Sequence, residues 1–137
     1  MTTTFTIYGN QEHADGNPIP KAKLTRGQQW GAQAQRYAAW KQYVQEAYVA
    51  KLRHDLAIDE WNEADRHLYK HGKPVAADNA RMDLMIYWGS EHHGDPENIF
   101  GAIADALFIN DKHLAGSFDF THDPEKKGRV EVKITTA

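Results

Sequence analysis

The chain has 137 residues, 41% of them hydrophobic, no cysteine and a formal net charge of −3. That is enough chain for one domain with a real core, and it excludes a disulfide framework or a thiolate metal site. No apolar run approaches the roughly 18 residues that a bilayer-spanning helix needs, and Met1-Thr2-Thr3-Thr4-Phe5 lacks the basic and apolar blocks of a secretion signal, so a cytoplasmic protein is expected.

In chain order, Phe5-Thr6-Ile7-Tyr8 alternates and meets Gly9, which predicts a first strand. Residues 10–29 contain Gly16, Pro18, Pro20 and Gly27 and read as a long, mobile basic loop carrying Lys21, Lys23 and Arg26. From Gln33 to Leu52, the residues Tyr37, Trp40, Val44, Ala47, Tyr48 and Leu52 recur at helical spacing. An aromatic stripe of that kind is expected to be core rather than a base-stacking platform. Ile58 to His71 also reads as a helix, stopped by Gly72 and Pro74, so residues 53–80 form a helical insertion. Arg81–Trp88 alternates with both sides partly apolar, which predicts a central strand covered on each face.

Glu97 to Phe108 has a buried stripe of Ile99, Ala102, Ile103, Ala106 and Leu107, with Pro96 at its start and Asp95 placed to be the N-cap. Ala115–Phe120 and Arg129–Thr135 are strands, expected to form a hairpin through the charged turn His122–Gly128. The sum is an α/β fold in one domain: a small mixed sheet with two to three helices.

Charge is unevenly spread. Residues 18–54 hold seven basic side chains against one acid, a net +6, and residues 78–125 hold ten acids against two basic side chains, a net −8. A positive stretch suits a phosphate backbone. Clustered carboxylates suit a hard divalent cation. Within the acidic stretch, Asp95 and Glu97 flank the start of the second strong helix and Asp111 follows its end. An oxygen-only set of this type suits Mg²⁺, with Mn²⁺ as a substitute, and such ions are used to hydrolyse phosphodiesters. Spacing alone does not return Asp111 to the other two. His92-His93 offers imidazoles that could bind Zn²⁺ or Mn²⁺, but adjacent side chains on an extended segment point opposite ways, so at most one would reach, and an exposed loop pair is the expectation; the remaining histidines have no zinc-site spacing.

The order Asp95-Pro96-Glu97-Asn98, Asp105-Ala106-Leu107, Asn110-Asp111 and Gly128-Arg129-Val130-Glu131-Val132 resembles the RusA family of Holliday junction resolvases, common in phages and prophages. That family reads Asp-x-Asp-Asn, a lysine three residues on, Asp-Ala-Leu, then Asp-Asp. Pro20-Lys21-Ala22-Lys23 with Arg26 is similar to its Pro-Lys-x-Arg-x-Arg loop. The resemblance implies a single RusA-like endonuclease domain over residues 1–137 and a homodimer that resolves four-way DNA junctions with Mg²⁺. It implies that Asp95, Glu97 and Asp111 are catalytic metal ligands, that Asn98 and Asp105 support them, and that Lys21, Lys23, Arg26 and Lys112 contact DNA. Three positions depart from the pattern: Glu97 for Asp, Asn110 for Asp, and Gly101 where the family has its lysine. The last departure keeps a second expectation open, a branched-DNA-binding protein with weak or lost catalysis.

Overall fold

The computed structural model describes residues 2–22, 31–55, 69–70, 73–74, 80–109 and 114–136. In chain order these form β1 (Thr2–Tyr8), α1 (Ala32–Asp55), the short β2 (Tyr69–Lys70) and β3 (Lys73–Pro74), β4 (Arg81–Trp88), α2 (Pro96–Leu107), β5 (Ala115–His122) and β6 (Arg129–Thr135). The fold is mixed α/β. Four strands make one sheet in the order β1-β6-β4-β5, with β4 and β5 parallel and β6 antiparallel to both β1 and β4. The pair β2–β3 is a separate antiparallel ribbon. Among the described residues no helix is long and apolar enough to cross a membrane.

The period-two pattern of the strands sends alternate side chains to one face. Phe5 and Ile7 of β1, Met82, Leu84, Ile86 and Trp88 of β4, and Val130, Val132 and Ile134 of β6 are buried there. They join one core with Tyr37, Trp40, Val44, Tyr48 and Leu52 of α1 and Ile99, Ala102, Ile103, Ala106 and Leu107 of α2. The aromatic stripe of α1 is therefore core: Trp40 has no exposed surface, and the Phe5 and Tyr48 rings lie 5.7 Å apart. Polar bonds register the two helices. The Tyr37 hydroxyl donates to Asp105 Oδ2 at 2.9 Å, Lys41 Nζ lies 3.3 Å from the same oxygen, and Gln45 Nε2 donates to the Ala106 carbonyl at 3.0 Å.

Three sequence expectations are corrected. The segments β5 and β6 are not a hairpin, because β4 lies between them and the 123–128 turn carries the chain across it. Among the described residues, β4 is covered on one face only. On its other face Arg81 is exposed and Asp83, Met85 and Tyr87 are half-buried, beside the exposed Glu131 and Lys133 of β6. That face is held by polar contacts instead: Arg81 and Ser117 both bond Asp83, and the Arg129 guanidinium lies 3.9 Å over the Tyr87 ring. Finally, most of the helix expected over 58–71 lies outside the described residues, and its last described residues, Tyr69–Lys70, are strand.

Candidate functional site

At one end of the sheet, the end of β1, the end of β4 and the start of β6 meet the loop 10–22. Gly9 takes φ +56 and donates its N–H to the Gly128 carbonyl at 2.8 Å, a left-handed turn that glycine adopts without steric cost. The Gly128 N–H in turn donates to the Asp15 carbonyl at 2.9 Å, and a Cβ on Gly128 would sit 2.1 Å from the Gly16 oxygen. The buried Asn10 closes the loop on itself: its Oδ1 accepts from the Glu12 and His13 N–H groups, and its Nδ2 donates to the Asn17 carbonyl. Asn17 then ties the loop to the segment after β4. Its Oδ1 accepts from the Gly89 N–H at 2.6 Å, and its Nδ2 donates to Ser90 Oγ at 2.8 Å and to the His92 carbonyl at 2.9 Å. Further on, the Lys21 N–H donates to the Asn98 carbonyl at 3.0 Å, so the described half of the basic loop is laid against the first turn of α2.

The unit β4–α2–β5 is a parallel strand pair with a helical crossover, and the space outside the carboxyl ends of such strands is where open α/β sheets bind ligands. Asp95 and Glu97 lie there. Asp95 is the N-cap residue of α2 with φ −71 and ψ 140, and its carbonyl accepts from the Asn98 and Ile99 N–H groups. The capping bond expected of its side chain is not made. Both carboxylates are exposed, at the helix end that favours negative charge. Asn98 is half-buried in the same turn. A Cβ on Gly101 would lie 3.5 Å from Lys21 Cδ, so the stem of Lys21 runs over the position where this helix has no side chain. Asp105, two turns on, faces α1 and is engaged with Tyr37 and Lys41.

Asp111 and Lys112, with residues 110–113, and Lys23 and Arg26, with residues 23–30, lie outside the described residues. The described neighbours of the first segment, Phe108 and Leu114, stand at the far end of α2 from Asp95, across a helix of 12 residues that is about 18 Å long. Among the described residues no group of three His, Asp or Glu side chains is placed to hold a metal ion. The donors present still suit Mg²⁺, which is commonly held by one or two carboxylates with waters and a substrate phosphate completing the shell.

A feature that sequence spacing did not reveal stands beside this site. The His93 ring is stacked on the buried Trp88 indole, with centroids 3.9 Å apart and planes 6° apart, and the His122 ring is 5.6 Å from it. These contacts depend on β4 and β5 being neighbours, which no local pattern announces. Between the loop and residues 90–94 is an open cavity of about 520 Å³ lined by His13, Asn17, Arg36, Ser90, His92 and His93, among others. Arg36 Nε pairs with Glu12 at 2.7 Å on its rim.

The turn after β5 carries a strongly held acid. The Lys127 N–H bond holds the Asp123 carboxyl below the ordinary carboxylate range, against some desolvation, with the Arg129 guanidinium adding to it. No protein-family model matches the chain, and no curated protein is similar to it in sequence.

Proposed function

We propose that the chain is a divalent-metal-dependent endodeoxyribonuclease of the RusA type, cutting four-way DNA junctions as a homodimer in the host cytoplasm. The observation that carries this reading is the start of α2: two exposed carboxylates, Asp95 and Glu97, at the carboxyl ends of the parallel strands, with the Lys21 stem laid over Gly101. Asp95 and Glu97 would hold Mg²⁺ (or Mn²⁺), with waters and a substrate phosphate completing the shell; Asp111, the third ligand the resemblance implies, follows the far end of α2 and lies outside the described residues, so the reading rests on the pair. When bound, the ion supplies an activated water and charge neutralisation at a phosphate.

The protein's own part is positioning. The uncapped Asp95 carboxylate is available at a helix start. The Asn98 backbone joins the first turn to the loop, its N–H donating to the Asp95 carbonyl and its carbonyl accepting from Lys21, and Asp105 anchors the helix to α1 through Tyr37 and Lys41. Lys21 supplies the cation that residue 101 does not, and meets the negative charge that grows on the phosphoryl oxygens as the bond breaks. Lys23, Arg26 and Lys112 extend the phosphate contacts.

A second reading is a junction-binding protein with weak or lost catalysis. Gly101 favours it, since the cation the family carries there is missing from the helix. Incubating an end-labelled four-way junction with protein and Mg²⁺ separates the two. Paired, symmetric nicks support the nuclease; a gel shift without nicks supports the binder; neither removes both. Asp95→Asn should reduce cutting to background while retaining junction binding. Lys21→Ala should slow cutting on the order of 10²-fold, as loss of a transition-state charge contact does.

A further inference from the structure

We propose that His93 and His122 form a two-imidazole site for a borderline transition-metal ion, with Zn²⁺ as the reference case, distinct from the carboxylates at the start of α2. This assignment does not rest on the nuclease reading. Its first support is how the rings are brought together. Trp88 and His122 are partners across the parallel ladder, so their side chains share a face. The Asp123 N–H donates to the Trp88 carbonyl at 2.9 Å and fixes the strand end that carries His122. His93, arriving from the following segment, lies flat on the Trp88 ring at 3.9 Å and so comes to rest beside His122.

The second support is the state of the His93 ring. Its Nδ1 lies 2.9 Å from the Gly94 carbonyl oxygen. A carbonyl only accepts, so Nδ1 carries the hydrogen and Nε2 keeps its lone pair in the neutral ring. Metal-ligating histidines show this arrangement: the second nitrogen donates to a backbone carbonyl, which fixes tautomer and orientation. Stacking on Trp88 adds a further restraint, since a ring already held loses little rotamer freedom when it binds.

The third support is distance. With Zn–N bonds of about 2.1 Å, and ring centres about 1.1 Å beyond the nitrogens, two imidazoles on one tetrahedral-to-trigonal ion have centres roughly 5.2–5.6 Å apart. The observed separation is 5.6 Å, with the planes 57° apart. Imidazole suits Zn²⁺ and oxygen ligands suit Mg²⁺, but Zn²⁺ also binds carboxylates, so the Asp95→Asn variant is what separates the two sites. Asp123, next to His122, is engaged with Arg129 at 3.2 Å and with the Lys127 N–H. The remaining coordination positions are left to water or to an oxygen of a bound phosphate.

Titration calorimetry of the tag-free chain with zinc chloride, in metal-free buffer, should show one saturable site per chain. His93→Ala and His122→Ala should each weaken zinc binding at least about tenfold, and Asp95→Asn should bind as the unaltered protein does. Circular dichroism on each variant separates loss of a ligand from loss of the fold. Should His93→Ala unfold, the test passes to His122→Asn, at an exposed strand end, which removes the imidazole without disturbing the stack. Absence of saturable zinc binding, unaltered affinity in both His122 variants, or loss of zinc in Asp95→Asn would each overturn the pair. The last outcome would move the ion to the carboxylates and would leave the junction-cleavage result to be judged by itself.

Discussion

The two edges of the sheet are built from the same alternating pattern and end in opposite states. In β1, Thr3, Phe5 and Ile7 turn inward and are buried, with Phe5 against Tyr48 of α1. In β5, Phe118 and Phe120 turn to the same side, level with Leu84 and Ile86 of β4, yet remain 41% and 50% exposed, and every other residue of the strand is exposed too. The helix α2 reaches β5 at Phe100, whose ring lies 6.2 Å from Phe118, and among the described residues no helix continues beyond it over β5. A period of two thus assigns a strand and a face, whereas burial depends on what lies above that face. The edge β1 is held by cover. The edge β5 is held by its ladder to β4 and by polar ties, Ser117 to Asp83 and Asp123 to Arg129.

Four measurements probe that contrast. Ile7→Ala, at a 1% exposed site, should cost about 2–5 kcal/mol in denaturant unfolding, the range for a fully buried aliphatic. Asp105→Ala should cost about 1–3 kcal/mol, because it strips a partly buried hydroxyl and an ammonium of their shared acceptor and loosens the cover itself.

Acid should act on the other edge. For Asp83, partial burial acts to raise the pKa, but the hydrogen bonds from Arg81 and Ser117 outweigh it and hold the carboxyl below the ordinary range; Asp123 is held low by the Lys127 N–H and Arg129. A lowered folded-state pKa gives stability that is present above the unfolded value of about 3.9 and is lost as pH falls through the folded one. The unfolding midpoint should therefore drop below about pH 4, and the drop should be shallower in Asp83→Asn and Asp123→Asn. Phe120→Ser should be the mildest change, within about 0.5 kcal/mol, as expected of an exposed site. A cost near that of Ile7→Ala would show that β5 is covered after all and would erase the contrast.

Much of the architecture was legible because the local signals agree. The α1 stripe from Tyr37 to Leu52, the alternation of 81–88 and 129–135, and the Asp95-Pro96 start of α2 each correspond to an observed element. The false hairpin has a plain cause. The 123–128 turn has the same composition whether β6 lands beside β5 or one strand further over, and the β6 alternation is satisfied in either place. The expected double cover of β4 misread Met85 and Tyr87, whose apolar surface is half-buried among neighbours on an open face, partly beneath Arg129.

At the site, sequence located Asp95 and Glu97 at a helix start; that the Lys21 stem lies along Gly101 emerges only from the contact between the loop and α2. Sequence presented His92-His93 as a pair of which at most one could bind a metal, but could not place His93, because a stack on Trp88 beside His122 exists only once two strands 27 residues apart in sequence have paired.

The strand β6 comes last in chain order among the described strands, yet it is the one that β1 and β4 both require. Thr2 pairs with Thr135 and Arg81 pairs with the same residue, so β1 finds its ladder partner at the far end of the described strands. Closing a loop of that length carries an entropic cost that local contacts cannot defray, and topologies of this kind assemble slowly. A chain made in sequence order therefore carries β1 without its ladder partner until β6 has followed, because β6 is the strand that sits between β1 and β4.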